Sequence, residues 1–223
     1  MKGNSRTIES AQEGVHRDLE SCVRRHAEHR FQKPVLDYNR AAFATAMRAW
    51  LEWRDGAPLI LDSGCGVGWS TLKLARHFNT HFVIGVDQSA DRLARGKPLE
   101  LPPNAVFVRA DLVDFWRLMR AAGLQLERHY LLYPNPWPKI GHLQRRWHGH
   151  PVFPDLLALG GRLECRSNWE IYIAELARAT HLLTGHVVMT DAFHPPGEPL
   201  TPFEAKYLES GQGLYRAVVD LRD

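Results

Sequence analysis

Seven short apolar runs alternate with amphipathic stretches between residues 59 and 221 of the chain. Each run has the length of a buried strand, and the stretches between the first six have helical spacing. This alternation predicts an α/β fold with a doubly wound, mostly parallel sheet of seven strands, because parallel strands need crossover helices. The runs are LILDS at 59–63, HFVIGVD at 81–87, AVFVRAD at 105–111, HYLLY at 129–133, GRLECRS at 161–167, HVVMTD at 186–191 and LYRAVVDL at 214–221.

The two ends of the chain depart from this alternation. A polar, charge-mixed stretch at residues 9–31 predicts a helix, and Asp37 is expected to cap a second helix that runs to Leu51. A proline-rich loop separates the last two apolar runs, so we expect the seventh strand to be antiparallel and to lie at the sheet edge. The chain therefore divides into an N-terminal helical extension, residues 1–56, and an α/β domain, residues 57–223.

Composition narrows the class of protein further. The 223 residues suffice for one sizeable core. No apolar run approaches the roughly 20 residues of a membrane-spanning helix, and no apolar stretch of a secretory signal follows the first basic residues. The cysteines lack metal-ligand spacing and suit a reducing compartment. We expect a soluble, cytoplasmic protein that binds no membrane and no metal, as a monomer or homodimer. The cysteines are Cys22, Cys65 and Cys165.

The most specific motif is DSGCGVGWS at residues 62–70, where a buried strand runs into alternating glycines and then a helix. Gly64, Gly66 and Gly68 let the backbone turn sharply and approach a ligand closely, because they lack a Cβ. A dinucleotide-binding loop would read Gly-x-Gly-x-x-Gly, and this spacing is one residue shorter. The alternative interpretation is a tight strand-to-helix turn without a ligand.

An acidic residue closes each of the first three strands, namely Asp62, Asp87 and Asp111. Such groups suit S-adenosylmethionine, which has no phosphate but carries an ammonium group, a ribose and an adenine. We expect Asp62 to serve the ammonium end, Asp87 the ribose hydroxyls, and Asp111 with the Leu112 backbone N–H the adenine. Each alone is an ordinary turn former. Three in succession, at the edge where open α/β sheets bind ligands, predict an S-adenosylmethionine-dependent methyltransferase.

The segment LLYPNPWPKIGHLQRRW, residues 131–147, starts as a strand and breaks into a proline-rich loop around Asn135. Basic residues follow at once, and a second basic cluster lies near the N-terminus. A net charge of +3 establishes no nucleic-acid partner, and a solvated basic loop is the alternative interpretation. Because the loop adjoins the predicted site, we favour phosphate binding. The basic residues are Lys139, His142, Arg145, Arg146 and His148 in the first cluster, and Arg24, Arg25, Arg30 and Lys33 in the second.

Four motifs occur in a fixed order in this half of the chain: YPNPWPK at 133–139, HLQRRW at 142–147, SNW at 167–169 and TPFE at 201–204. Together they resemble the bacterial tRNA (guanine-N7)-methyltransferases. That family has Phe-Pro-Asp-Pro-Trp-His-Lys, then a basic stretch, then Thr-Asp-Trp at the end of strand five and Thr-Lys-Phe-Glu near the C-terminus. The resemblance covers roughly residues 59–221.

The resemblance implies S-adenosylmethionine as cofactor, tRNA as substrate and guanine N7 as acceptor. Asp62, Asp87, Asp111 and Asn135 match cofactor-contacting positions, and Asn135 also matches the family's proposed catalytic carboxylate. Amides replace carboxylates at Asn135 and Asn168, and a proline replaces lysine at Pro202. The positions that match substrate contacts are Lys139, Asn168, Thr201, Pro202, Phe203 and Glu204.

Two alternatives stay open beside this hypothesis. The Asn-Pro-Trp loop loosely resembles the Asn-Pro-Pro-aromatic loops of amino-group methyltransferases, so the acceptor is then a small heterocycle or an exocyclic amine. The other alternative is a catalytically silent RNA-binding relative, against which the complete cofactor set argues. For guanine N7, a neutral lone pair, we expect Asn135 to position the base and Trp137 or Trp147 to stack on it. Trp147 is as readily a core residue.

Overall fold

The computed structural model describes residues 4–29, 31–97 and 99–222. Seven strands and eight α-helices alternate along these residues, in the order that the sequence predicts. The strands are β1 Leu59–Ser63, β2 Phe82–Asp87, β3 Ala105–Arg109, β4 Arg128–Leu132, β5 Arg162–Ser167, β6 Met189–Ala192 and β7 Tyr215–Asp220. The helices are α1 Leu19–Glu28, α2 Asp37–Arg54, α3 Trp69–His77, α4 Ala90–Ala94, α5 Leu112–Ala121, α6 Phe153–Leu157, α7 Glu170–Thr184 and α8 Pro202–Glu209.

The strands form one sheet in the order β3-β2-β1-β4-β5-β7-β6. The first five strands are parallel, and β7 runs antiparallel to both of its neighbours. The predicted α/β sheet of seven mostly parallel strands is thereby confirmed. The expected edge position of β7 is wrong, because β7 lies between β5 and β6. Its apolar residues Ala217–Val219 are buried, whereas all four residues of β6 are exposed and form the edge.

Both faces of the sheet are covered. The larger core joins α1, α2, α5, α6 and α7 to the odd-numbered side chains of β1, such as Leu59 and Leu61. The smaller core lies under α3 and contains Ile60, Val83 and Leu132. This double covering explains why the strands read as continuous apolar runs rather than as alternating ones.

The N-terminal helices share the main core instead of forming one of their own. Leu19, Val23 and Ala46 pack in the same buried cluster as the sheet. The single helix expected over residues 9–31 is wrong in its first half, since α1 begins at Leu19 and residues 4–18 are irregular. The division of the chain at residues 56 and 57 stays a prediction.

Two further details concern the helices and the membrane. Asp37 is the first residue of α2 rather than its cap, because Leu36 holds the cap position and no side chain caps that helix. Within the described parts of the chain, no helix is long and apolar enough to cross a membrane.

Candidate active site

The carboxyl ends of β1 to β5 meet at one edge of the sheet, because these strands are parallel and in register. The glycine motif leaves β1 there, and Asp87 closes β2. Asp111 follows β3 after one further residue, and the loop around Asn135 follows β4. The structure therefore brings the predicted acidic residues and the proline-rich loop to the same edge, which is where open α/β sheets bind ligands.

The glycine loop is a backbone turn that tolerates no side chains at its key positions. Gly64, Gly66 and Gly68 have φ angles of 76°, 58° and 85°, in the left-handed region. At Gly68 an added Cβ would lie 2.6 Å from the ring of Phe107, whereas at Gly64 the space is open apart from Leu112 at 3.9 Å. The loop is thus packed on one side and accessible to a ligand on the other.

Asp62 is the buried acid of this loop, with 1% of its surface exposed. Its Oδ2 accepts hydrogen bonds of 2.6 Å from both Ser70 and Thr71, at the start of α3. Its Oδ1 is buried, and no donor among the described residues reaches it. Burial raises the pKa of Asp62 to about 6, although the two hydroxyl donors act against it. An unpaired buried carboxylate oxygen is costly, and a cationic ligand group would satisfy it.

Asp87 joins the glycine loop to the end of β2. Its carboxylate accepts from the backbone N–H groups of Gly66 at 3.0 Å and Ser89 at 2.8 Å. Arg92 of α4 also donates to it, at 3.1 Å. The Arg92 guanidinium therefore occupies the side of the Asp87 carboxylate that we expect to accept the ribose hydroxyls. Because the Arg92 side chain is half exposed, it has room to move aside when a ligand binds.

Asp111 is the N-cap of α5, where its Oδ1 accepts from Val113 N–H at 2.9 Å. The other carboxylate oxygen makes no hydrogen bond to a described residue. Leu112 is the first residue of α5, so its N–H has no partner within the helix. An acceptor and a donor thus lie side by side, which is the pattern that the amino edge of an adenine needs.

The segment Tyr133–Lys139, named here the acceptor loop, holds Asn135 at the surface. Tyr133 and Trp137 have φ angles of 53° and 45°, which are uncommon for residues with side chains. The Asn135 Oδ1 accepts from the Trp137 N–H at 3.3 Å, so the side chain is oriented by its own loop. Asn135 is exposed, and its amide N–H₂ group makes no hydrogen bond to a described residue, so it is available to a substrate.

The basic stretch after the acceptor loop divides into exposed and buried residues. Lys139 and Arg145 are exposed, and the Arg145 guanidinium lies 4.9 Å from the centre of the Trp137 ring. Arg146 and His148 are 0% and 1% exposed, and both donate to Glu175 of α7, at 2.6 and 2.8 Å. The expectation that Arg146 contacts phosphates is therefore wrong, because its charge is already paired inside the core.

The second basic cluster lies on α1 and the segment that follows it. Arg24, Arg25 and Lys33 are exposed there. Arg30, which the sequence placed in the same cluster, lies outside the described residues.

The C-terminal motif also divides by burial. Thr201 caps α8 by accepting from the Glu204 N–H at 3.0 Å, and Pro202 occupies the first turn, where a missing N–H costs little. Phe203 is 53% exposed. Glu204 is fully buried, pairs with Arg166 at 2.8 Å and accepts from the Tyr133 hydroxyl at 3.0 Å. The expected substrate contact of Glu204 is wrong for this arrangement, because the side chain instead ties α8 to the acceptor loop.

The other two residues expected to contact substrate, Asn168 and Trp147, are both partly buried. Asn168 is partly buried, and its amide donates to Gln212 at 2.8 Å in the turn after α8. Trp147 is also partly buried, and its ring lies 4.7 Å from that of Trp116 in the core. This packing favours the core interpretation of Trp147 and leaves Trp137, which is also partly buried, as the aromatic candidate of the acceptor loop.

Sequence reasoning missed Asn39, Arg92 and Glu175, each of which contacts a residue of this edge or of its supports. No motif pointed to them, since their contacts join parts of the chain that periodicity cannot pair. The glycine spacing and the strand-end acids, by contrast, were visible as local patterns. In the described ranges, no group of three or more histidine, cysteine, aspartate or glutamate side chains is arranged to hold a metal ion.

A doubly wound sheet with a glycine loop and three strand-end carboxylates at its carboxyl edge defines the methyltransferase class of α/β enzymes. Solved methyltransferases share this fold. A 16S rRNA methyltransferase, KamB, superposes with a TM-score of 0.53 at 17% identity, over 86% of this chain and 98% of that one. A 16S rRNA (adenine(1408)-N(1))-methyltransferase from Catenulisporales acidiphilia, solved with its cosubstrate SAM, gives 0.50 at 20% identity, over 84% and 92%.

The chain belongs to the family described as "Putative methyltransferase", whose model matches residues 56–217. It is also similar to a tRNA (guanine-N(7)-)-methyltransferase of Photobacterium profundum. The two are 28% identical over 216 residues, which cover 89% of this chain and 87% of the relative. The similarity therefore extends beyond the α/β domain into the N-terminal segment. The chain is a methyltransferase.

Proposed function

We propose that this methyltransferase uses S-adenosylmethionine to methylate guanine N7 in tRNA. The observation that carries the proposal is the exposed Asn135 amide, held at the same sheet edge as the glycine loop and flanked by Lys139 and Arg145. A cofactor cradle, a group that can orient a base and two free cations are thus neighbours. The name of the Photobacterium relative supports the choice of substrate.

The residues of the edge fit the cofactor group by group. The unpaired Oδ1 of Asp62 suits the ammonium group, and Asp87 suits the ribose hydroxyls once Arg92 moves aside. Asp111 and the Leu112 N–H suit the adenine edge. When bound, S-adenosylmethionine supplies an electrophilic methyl group on a sulfonium. The protein supplies carboxylates and left-handed glycines to these groups of the cofactor.

Guanine N7 is a neutral lone pair at physiological pH, so no proton has to leave before it attacks. The task of the protein is to orient the base, and orientation alone can contribute several kcal/mol. An amide can serve this purpose as a carboxylate does, because the Asn135 Oδ1, like a carboxylate oxygen, can accept from the N–H groups of guanine while the N7 lone pair stays free to attack. Replacement of the family carboxylate by Asn135 is therefore compatible with the same reaction.

The surface around Asn135 suits RNA. Lys139 and Arg145 are unpaired with carboxylates in the described structure and are free to neutralise phosphates. Phe203 exposes its aromatic ring and Trp137 is partly exposed, so both offer surfaces on which an unstacked base can lie. Arg145 already lies over Trp137, and this packing holds the ring in place.

Product analysis tests the proposal. The purified protein is incubated with methyl-labelled S-adenosylmethionine and bulk tRNA, and in parallel with guanosine and with a set of small heterocyclic amines. The tRNA is then digested to nucleosides. Label in 7-methylguanosine supports the proposal. Label in an exocyclic-amine product or in a small heterocycle contradicts the substrate, and tRNA binding without any transfer identifies a silent RNA-binding relative.

A further inference from the structure

Asn39 is a buried amide in the first turn of α2, and it contacts the start of α5, where we place the adenine of the cofactor. It is 0% exposed. Its Oδ1 accepts from the backbone N–H of Asp111 at 2.9 Å, and its Nδ2 donates to the Asp114 carboxylate at 2.6 Å. One side chain from the N-terminal helices therefore holds the start of α5 at two points.

The partner of that amide is itself fixed. Asp114 is 2% exposed, and it accepts from the Leu36 N–H at 3.1 Å and from Arg117 at 3.3 Å. Its carboxylate cannot turn away from Asn39 without leaving these donors unpaired inside the protein. The junction between α2 and α5 thus fixes the position of the Asn39 side chain. Because the Asn39 Oδ1 accepts from the Asp111 N–H, the position of the Asp111 backbone is fixed as well.

The Asp111 N–H would otherwise be an unpaired donor at a half-buried turn between β3 and α5. By accepting it, Asn39 fixes the peptide plane that precedes the Asp111 carboxylate and the Leu112 N–H. These are the two groups that present an acceptor and a donor to the ligand. A small rotation of this plane would move both together.

We propose that Asn39 is a positioning residue for adenine recognition, acting through Asp111 and Leu112. The proposal rests on S-adenosylmethionine as the cofactor. It gives the N-terminal helices a part in cofactor selectivity, although they lie outside the sheet edge that binds it.

Position 39 requires a side chain that both accepts and donates a hydrogen bond, and an amide does both. Aspartate at position 39 would set a second carboxylate against Asp114, and it could not donate. Alanine would leave the Asp111 N–H without its partner and would remove one of the two donors to the Asp114 Oδ2, which would keep only the Leu36 N–H. Asn39→Ala is therefore expected to loosen the adenine contacts specifically, while the ammonium and ribose contacts at Asp62 and Asp87 stay intact.

The test compares two ligands that differ only at the base edge, S-adenosylhomocysteine and S-inosylhomocysteine. In the inosine analogue a carbonyl replaces the amino group and N1 carries a proton, so both contacts are mismatched. Binding of each is measured by calorimetry. Hydrogen bonds to charged groups are worth roughly tenfold to a hundredfold in affinity, so the wild type should prefer the adenine ligand by at least about tenfold. In Asn39→Ala this preference should fall toward one.

Asn104→Ala is the matched control. Asn104 is likewise a buried amide, 5% exposed, and its Nδ2 donates to the backbone carbonyls of Ala75 and His81 at 2.9 Å. It lies at the opposite end of β3, so its loss should lower the melting temperature and leave the adenine preference unchanged. This separates a selective effect from general loosening.

Retention of the full adenine preference in Asn39→Ala would overturn the inference while leaving the cofactor assignment intact. If Asn39→Ala does not fold, Asn39→Ser keeps a small polar group, and the same fall in preference is expected. A wild type that binds neither nucleoside would contradict the cofactor itself, and the inference with it. The two failures are therefore distinguishable.

Discussion

At the scale of single residues, Asp62 carries the most informative electrostatics. Its Oδ1 has no hydrogen-bond partner among the described residues, and burial raises the pKa of Asp62 to about 6. A raised pKa in an acid means that the folded protein takes up a proton more readily than the unfolded chain. The charged form therefore costs stability above pH 6, and this cost declines as the pH falls toward 4. The charge of Asp62 therefore does not stabilise the fold at neutral pH.

The first prediction concerns the pH dependence of cofactor binding. The affinity for S-adenosylhomocysteine should fall as the pH drops from 7 to 5, because protonated Asp62 no longer attracts the ammonium group. Asp62→Asn should bind more weakly at pH 7 and lose most of this pH dependence. Calorimetry at four or five pH values measures both. An Asp62→Asn variant with the slope of the wild type would remove Asp62 from the ammonium site.

The second prediction concerns Asp87. Asp87→Ala should weaken S-adenosylmethionine binding by about 10-fold to 100-fold, because the ribose loses charge-assisted hydrogen bonds. Asp91→Ala is the control, since Asp91 is an exposed carboxylate in the adjacent helix α4. A thermal melt of each variant checks the fold, because Asp87 also holds Gly66 and Ser89. Equal affinities in the two variants would contradict a ribose contact.

At the scale of elements, the acceptor loop and the basic stretch behind it form one unit. Buried Arg146 donates to the backbone carbonyl of Trp137 at 3.2 Å and to that of Lys139 at 3.4 Å. Arg146 thus holds the backbone of the acceptor loop from the buried side. Arg145 packs on the Trp137 ring of the same loop from the exposed side. Lys139 and Arg145 are exposed, and they are the cations that we propose to contact RNA.

The third prediction follows from this division. The double variant Lys139→Ala, Arg145→Ala should bind tRNA more weakly and with a salt dependence reduced by about one unit for each lost phosphate contact. Removal of Arg54 and Arg76 is the matched control, because both are exposed and lie at the ends of α2 and α3. Binding is titrated at several salt concentrations. If both double variants show the slope of the wild type, the basic loop is only a solvated surface.

The sequence was informative where function depends on local pattern. All seven strands, the glycine loop and the acids Asp62, Asp87 and Asp111 follow from apolar runs and from what ends them. Arg145 and Arg146 show the limit of this reasoning, since the first of these adjacent arginines is exposed and the second is fully buried. A short 3₁₀ turn ends between them, and Glu175 on a distant helix decides which one is buried. Neither periodicity nor charge carries that information.

The residues that position the site through long-range hydrogen bonds also could not be predicted from the sequence. Asn39 reads as an ordinary helix residue, and its partner Asp111 lies 72 positions further along the chain. Glu204 reads as a polar residue of a surface motif, yet Arg166 and Tyr133 bury it. The order of β7 and β6 depends on which strand buries more apolar surface, and short antiparallel strands near a C-terminus leave that open.

At the scale of the whole molecule, Glu175 joins three parts of the chain. One oxygen accepts from Gln12 and from the His16 N–H, at 2.6 and 2.9 Å, and the other accepts from Arg146 and His148. The N-terminal segment, the stretch behind the acceptor loop and α7 therefore meet at one buried carboxylate. Although burial raises its pKa, the donors outweigh this and lower the pKa of Glu175 to about 2.

The fourth prediction concerns stability. Glu175→Gln should destabilise the protein by about 3 to 5 kcal/mol, because Arg146 is left as an unpaired buried cation. Arg178→Ala, which breaks the half-exposed pair with Glu20, should cost no more than about 1 kcal/mol. Urea unfolding measures both. The Glu175 contribution should be complete above pH 4.5 and decline as the pH falls toward 2, the direction for an acid with a lowered pKa. Similar losses in both variants would contradict this account.

The measurement that tests the central claim most directly is the single-turnover formation of 7-methylguanosine in tRNA by the wild type and two variants of Asn135. The wild type should form it, and Asn135→Asp should keep most of the rate, because a carboxylate can also orient the base or the cofactor. Asn135→Ala should lose about 10²-fold, the usual result of a misplacement on the Å scale. Absence of 7-methylguanosine with the wild type would contradict the substrate, and a full rate in Asn135→Ala would contradict the site.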